Sequence, residues 1–162
     1  MQDFATRAAA LASRLKQRNE TIAVAESSTG GMISAALLAI PGASAYFIGG
    51  AVVYTRASRR VLLGISDEAM TGLRPSTEPY ALLVAQTARE RFATTWALGE
   101  TGAAGPTGNR YGDASGHSCI AVAGPIARAV TIETGSTERF ANMSTFTAAA
   151  LDLLMQAVEA AR

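Results

Sequence analysis

Apolar residues recur along this chain at two spacings, which separate predicted helices from predicted strands. Near the N-terminus, Phe4, Ala8, Leu11 and Leu15 fall on one helical stripe, with arginines lying off it. Short apolar runs with β-branched residues indicate buried strands instead. The pattern predicts helices over residues 3–18, 31–40, 57–63, 77–92 and 140–161, a short helical segment from residue 66, and strands over residues 21–25, 46–54, 95–99, 118–123 and 129–133.

Helices and strands alternate in the first half of the chain, and the last two strands form a hairpin around Gly124-Pro125. This order predicts an α/β fold, a three-layer α/β/α sandwich whose mixed sheet is mostly parallel. The second helix carries almost no charge, so we expect it to be buried on most sides. Gly49-Gly50 predicts a bulge or a close backbone approach in the second strand, and the glycine-rich stretch 102–116 predicts a functional or disordered loop.

A polar turn follows the first predicted strand. Glu26-Ser27-Ser28-Thr29-Gly30-Gly31 combines hydroxyls that can cap the next helix with glycines that let backbone approach closely. Such a turn can also present backbone N–H groups and a positive helix end to an anion. Both interpretations stay open on the turn alone. Glu26 favours the anion site slightly, since capping alone does not require this carboxylate.

The composition indicates one domain of 162 residues, with 49% apolar and 17% charged residues. A net charge of +1 gives no electrostatic reason to expect nucleic acid. No apolar run reaches membrane-spanning length and no signal pattern opens the chain, so a cytoplasmic location and no membrane partner are expected. Cys119 is the only cysteine, which excludes an intramolecular disulfide, and its apolar neighbours predict a core position.

Several common chemistries lack the residues they need. A single histidine and a single cysteine do not supply a zinc site. A Ser-His-Asp triad would require His117, whose place at a predicted strand start favours a structural role. Neither a Walker loop nor Gly-x-Gly-x-x-Gly after a strand is present. What remains is a hydroxyl nucleophile activated by another group, and the candidates are Ser27, Ser28, Ser44 and Tyr54.

Four separated motifs resemble the C-terminal domain of the competence/damage-inducible protein CinA, a family also known as nicotinamide-nucleotide amidase. They are Ala25–Gly31, Pro41–Phe47, Tyr54 with Leu63-Gly64, and Thr101–Pro106. The similarity runs from about residue 3 to 160 in the same order and spacing. The full-length family carries an additional N-terminal domain that resembles molybdopterin-binding proteins, so this sequence is interpreted as a stand-alone single-domain form.

The resemblance implies hydrolysis of nicotinamide mononucleotide to nicotinic acid mononucleotide and ammonia in pyridine nucleotide salvage, without a cofactor and in a homo-oligomer. It implies that Ser44 is the nucleophile and that Tyr54 and the residue at position 59 complete the catalytic group. The implied pocket residues are Glu26, Ser27, Thr29, Gly30, Gly31, Thr101, Gly102, Ala104, Gly105 and Pro106.

This sequence departs from the family at the catalytic lysine, which is Arg59 here and cannot act as a general base. The family's Gly-Asp-Arg before the last helix is Gly135-Ser136-Thr137, and Arg139 is the nearest arginine that can substitute. Two hypotheses follow. One is an amidase in which Arg59 supplies fixed charge; the other is a catalytically impaired paralogue that binds a nucleotide or a protein.

Overall fold

The computed structural model describes residues 2–161. Its strands are β1 (Ile22–Glu26), β2 (Phe47–Val52), β3 (Trp96–Ala103), β4 (His117–Ala123) and β5 (Arg128–Glu133). Its α-helices are α1 (Gln2–Gln17), α2 (Met32–Leu38), α3 (Arg56–Leu63), α4 (Glu78–Phe92) and α5 (Arg139–Ala160), and 3₁₀ turns span Ala43–Ala45 and Glu68–Met70.

One five-stranded sheet runs in the order β2-β1-β3-β4-β5. β1 pairs in parallel with both β2 and β3, whereas β3–β4 and β4–β5 are antiparallel pairs. The mixed sheet and the late hairpin are as predicted. Four of the five strands point the same way, although parallel and antiparallel pairings are equal in number.

Helices cover both faces of the sheet, which gives the three predicted layers. α1, α2 and α5 pack together on one face, and α3 and α4 pack on the other. The alternation along β1 explains the division: Ile22 and Val24 join the cluster under α1 and α5, while Ala23 and Ala25 join the cluster under α4. The small residues let α4 approach closely. At Gly99 of β3 a Cβ atom would collide with the Ala81 carbonyl of α4.

Capping residues define the ends of α3 and the start of α4. Thr55 caps α3 reciprocally with Ser58, and Gly64 closes it in the left-handed conformation at φ +65°. The Thr77 hydroxyl accepts a hydrogen bond from the Tyr80 N–H at the start of α4. α3 thereby begins directly after β2, and α4 begins beside the ends of the parallel strands.

Two local predictions differ from the structure. β3 extends to Ala103, because its last residues pair with β4 as far as Ala103 opposite His117, so the loop begins at residue 104. β2 ends at Val52, which leaves Tyr54 beyond the strand. α2 is buried on most sides, as expected, and its one exposed side carries Ala35 and Leu38.

The glycine pair in β2 has the predicted close approaches. A Cβ atom at Gly49 would lie 2.5 Å from the Phe92 ring, and one at Gly50 would collide with the Ser34 hydroxyl. The β1–β2 register also shifts at Ile48, which has no partner in β1. Within residues 2–161 no helix is both long and apolar enough to cross a membrane.

Candidate functional site

The carboxyl ends of β1, β2 and β3 open into a cavity of about 800 Å³. β2 and β3 flank β1 on opposite sides, so the cavity lies at a switch point of the sheet, where open α/β folds bind ligands. Strand ends, the start of α3 and the loop before β4 contribute its wall. Polar residues in this wall include Ser27, Tyr54, Arg59, Arg74, Thr101 and Tyr111.

Arg59 places a buried positive charge in the cavity wall. The residue is only 5% exposed, and its Nη2 donates to Asp67 Oδ1 at 2.8 Å. Its Nε is buried and has no hydrogen-bond partner among the described residues. An unpaired buried donor costs about 1–3 kcal/mol, and a guanidinium keeps its proton at every accessible pH. The cavity wall therefore contains a permanent cation with one unused donor.

A second cationic group also lines the cavity. The guanidinium groups of Arg74 and Arg110 lie 5.4 Å and 5.2 Å from the centroid of the Tyr111 ring. Arg74 also donates two hydrogen bonds to Asp113, at 2.8 and 3.1 Å, and these hold the pKa of Asp113 below its usual value. Sequence reasoning missed these residues individually. The only sequence signal for them was the long glycine-rich loop, which carries Arg110, Tyr111 and Asp113.

The turn after β1 is held by the carboxylate of Glu26, which is completely buried. It accepts hydrogen bonds from the backbone N–H groups of Gly31, Ile33 and Ser34 at 2.9–3.1 Å, and from the Ser34 hydroxyl at 2.7 Å. The expectation that capping does not need Glu26 was wrong, because its side chain reaches forward and caps α2 itself.

A second buried carboxylate, Glu100 of β3, binds the other side of the same turn. It accepts from the N–H groups of Ser27 and Thr29, each at 3.0 Å, and from the Ser28 and Ser118 hydroxyls. These backbone donors of the turn are therefore used by the protein's own carboxylates. Positive charge in the cavity comes from arginines.

The Thr101–Pro106 segment contributes its first two residues to the cavity. The Thr101 hydroxyl accepts from the Ser76 N–H at 3.0 Å, and Gly102 has no room for a side chain beside the His117 carbonyl. Of the ten pocket residues that the resemblance implies, Ser27, Thr101 and Gly102 line the cavity. The other seven lie outside its lining, and they are Glu26, Thr29, Gly30, Gly31, Ala104, Gly105 and Pro106.

Arg139 connects Tyr54 to this segment. Its Nη2 donates to the Tyr54 hydroxyl at 3.4 Å, and its Nη1 donates to the Gly105 carbonyl at 2.5 Å. Tyr54 is exposed at the cavity mouth. The arginine that follows the altered Gly135-Ser136-Thr137 motif thus reaches the site, at its rim.

Ser44 lies at the opposite end of β2 from Tyr54. It is exposed in the 3₁₀ turn that precedes β2, whereas Tyr54 follows β2. Six strand residues, about 20 Å at 3.3 Å per residue, separate the two ends. Within one chain, Tyr54 and Arg59 share a cavity, and Ser44 is not part of it.

His117 and Cys119 have structural surroundings, as predicted. The His117 ring contacts the Glu133 carboxylate at 2.5 Å and the Ser76 carbonyl at 2.8 Å, and Cys119 is buried. Among the described residues, no three or more His, Cys, Asp or Glu side chains are grouped to hold a metal ion.

Fold and cavity together define an α/β domain that presents arginines at the carboxyl ends of its parallel strands. The family model of the CinA C-terminal domain matches residues 5–158, so the chain belongs to this family.

Relatives and solved structures agree with this membership. A CinA-like protein of Gloeobacter violaceus is 42% identical over 135 residues, 83% of this chain and 32% of that protein. A CinA-like protein of Prochlorococcus marinus is 42% identical over 68% of this chain and 26% of its own length. The chain thus spans a third or less of these relatives.

Two solved structures cover nearly the whole domain. The competence/damage inducible protein CihA of Agrobacterium tumefaciens has a TM-score of 0.88 at 28% identity, covering 95% of this chain and 94% of that one. A CinA superfamily protein of Enterobacter cloacae has a TM-score of 0.88 at 26% identity, covering 96% and 92%.

Proposed function

We propose that this protein is a nicotinamide-nucleotide amidase, which hydrolyses nicotinamide mononucleotide to nicotinic acid mononucleotide and ammonia. The observation that carries the proposal is Arg59, a buried cation whose Nε has no partner in the wall of an 800 Å³ cavity. Phosphate oxygens accept guanidinium hydrogen bonds, and ligand pockets of this size class hold molecules as large as a mononucleotide. Tyr111 adds an aromatic ring to the same cavity wall.

The reaction needs a nucleophile and a route for one proton. A serine Oγ adds to the carboxamide carbon, and the Tyr54 phenol accepts the serine proton while its own proton passes to the leaving nitrogen. The C–N bond then breaks and ammonia departs. Water cleaves the acyl-serine ester, which releases the carboxylic acid and restores the serine. Arg59 takes no proton in this scheme; its fixed charge holds the substrate.

Two serines compete for the role of nucleophile. Family resemblance favours Ser44, whereas Ser27 lines the cavity of the same chain. They differ in what they require: Ser27 acts within one subunit, and Ser44 acts only if a second subunit brings it to the cavity.

Ammonia release from nicotinamide mononucleotide by the purified protein tests the proposal. The wild type should release ammonia, and removing the nucleophile, by Ser44→Ala or Ser27→Ala, should reduce the rate more than about a hundredfold. Ser13→Ala, on the exposed side of α1, is the matched control and should change nothing. Absence of release from the wild type would contradict the proposal.

A binding-only paralogue is the second candidate function. The observation that favours it is the separation of Ser44 from Tyr54 within a chain that has arginine in place of the family lysine. In this case nicotinamide mononucleotide raises the melting temperature of the protein without releasing ammonia. If neither stabilisation nor release occurs, nucleotide binding is also excluded. Binding of a protein partner is then the binding function that is left.

A further inference from the structure

Positive charge is concentrated in the cavity at the carboxyl ends of β1, β2 and β3. Among the described residues, Asp67 is the one carboxylate in its lining, whereas four arginines line it, and these are Arg56, Arg59, Arg74 and Arg110. The whole chain carries a net charge of only +1. A cleft lined by charges of one sign attracts ligands of the opposite sign. An almost neutral protein thus presents an excess of cations to the ligand of this cavity.

Two of the four arginines are neutralised inside the protein, and two are not. Arg59 and Arg74 each contact a carboxylate at 2.8 Å. Arg56 and Arg110 are exposed, and neither of them forms an ion pair with any residue from 2 to 161. The charges of these two side chains are therefore available to a ligand.

The two unpaired arginines belong to different segments. Arg56 is the first residue of α3 and precedes Arg59 by three positions, so the two side chains share a helix face and can bind the same anionic group. Arg110 lies in the loop before β4 and donates to the Tyr111 hydroxyl at 3.2 Å. Cations on two separate segments suit a ligand that has two anionic groups.

Substrate and product of the proposed reaction differ in the number of anionic groups. Nicotinamide mononucleotide has one phosphate, which carries about −1.5 to −2 charges at neutral pH, and a positively charged pyridinium ring. Hydrolysis replaces its neutral carboxamide by a carboxylate, so nicotinic acid mononucleotide has one more negative charge and a second anionic group. The excess of arginine in the cavity therefore favours the product.

We propose that the cavity binds nicotinic acid mononucleotide more tightly than nicotinamide mononucleotide, with Arg110 at the carboxylate, and that the product consequently inhibits its own formation. The identity of the two ligands rests on the proposed amidase function. A hydrogen bond between charged groups corresponds to roughly tenfold in affinity, and this is the preference that we expect.

Isothermal titration calorimetry compares the two ligands without reference to turnover. The double variant Ser27→Ala/Ser44→Ala lacks both candidate nucleophiles, so it leaves the substrate intact. Its dissociation constant for the product should be about tenfold lower than that for the substrate. Raising the salt from about 0.1 M to about 1 M shortens the Debye length from roughly 10 Å to roughly 3 Å and should shrink this preference. Equal affinities, tighter binding of the substrate, or a preference that salt does not change overturns the proposal.

Replacement of single arginines tests the role of Arg110. Arg110→Gln should weaken binding of the product about tenfold and leave binding of the substrate nearly unchanged, so that the preference disappears. Arg56→Gln, on the helix face of Arg59, should weaken the binding of both ligands equally. Arg128→Gln, which is exposed on β5 and outside the cavity lining, is the matched control and should change neither. A preference that survives Arg110→Gln overturns the assignment of Arg110 to the carboxylate.

Inhibition of ammonia release provides a kinetic readout on the wild type. When both nucleotides are present at the KM of the substrate, a product that binds tenfold more tightly should lower the initial rate roughly sixfold. Preferential binding of the product without ammonia release from the wild type would overturn the proposed function and leave the charge preference intact. Ammonia release without any preference for the product would overturn this inference alone.

Discussion

At the scale of single residues, two buried carboxylates decide how the turn after β1 is built. Glu26 and Glu100 accept hydrogen bonds from backbone N–H groups on both sides of the turn. Charged acceptors strengthen such hydrogen bonds. The two carboxylates therefore stabilise the conformation of the turn, and only Ser27 among its residues reaches the cavity.

Replacing Glu26 by glutamine tests this support. Glu26→Gln keeps the shape of the side chain but turns an –NH₂ group toward backbone donors, so we expect the free energy of unfolding to fall by about 2–3 kcal/mol in urea titrations. Glu159→Gln, at an exposed surface site, should change it by less than about 0.5 kcal/mol. Equal effects of the two variants would mean that Glu26 is not a specific cap.

Arg59 can supply a positive charge at this position, but it cannot act as a general base. Burial and the contact with Asp67 fix its guanidinium in the cavity wall, and it cannot accept a proton there. A lysine in the same position can lose its proton when it is desolvated, so it can supply both charge and base.

We expect Arg59→Lys to raise the rate of ammonia release, by as much as about 10²–10⁴-fold if the lysine acts as a general base. The measurement is the initial rate with nicotinamide mononucleotide. Arg60→Lys, whose side chain is half exposed next to it, should leave the rate unchanged. No gain from Arg59→Lys would show that a missing base does not limit the rate of ammonia release.

At the scale of elements, the loop of residues 104–116 is fixed to the sheet through Asp113 and the start of β4. Asp113 accepts from Arg74 and from Asn109, at 2.8 Å each, and its Oδ1 lies 3.8 Å from the His117 ring. Burial opposes a charged His117, but the hydrogen bonds to Glu133 and the Ser76 carbonyl and the charge of Asp113 outweigh it and raise the pKa of His117. The contacts of this loop with His117 thus favour the charged form of the histidine.

The pH dependence of stability follows from the sign of this shift. The pKa of His117 is higher in the folded protein than its unfolded value of about 6.5, so its contribution is complete below pH ~6.5 and is lost as pH rises through the folded pKa. The free energy of unfolding should therefore decrease in that window. In His117→Gln this decrease should vanish, because the chain has no other histidine. A decrease of the same size in both proteins would assign it to another group.

At the scale of the whole molecule, sheet order sets the distribution of stability. β3 is flanked by β1 and β4 and covered by helices on both faces, whereas β2 and β5 are the edges. Because central strands open only with global unfolding, we expect the amides of β3 to exchange slowest with deuterium and those of β5 much faster. Exchange in β5 as slow as in β3 would contradict this distribution.

Local signals in the sequence were sufficient for the elements and the family. Thr55, Gly64 and Thr77 end or begin helices where their chemistry predicts, because capping depends on neighbours a few residues away. The motifs at Ala25–Gly31 and Thr101–Pro106 likewise identify the family without tertiary information. Prediction failed where the neighbour was distant in sequence: the end of β3 depends on its pairing with β4.

The sequence alone determined the order of helices and strands, the α/β class and the replacement of the family lysine by Arg59, since these depend on residue type and short-range periodicity. Only the tertiary structure decided that Glu26 and Glu100 consume the donors of the turn, that Arg74 and Tyr111 join the cavity wall, and that Ser44 lies a strand length from Tyr54. The physical reason is that hydrogen-bond partners and site geometry depend on which segments the sheet brings together. Position along the chain does not record this.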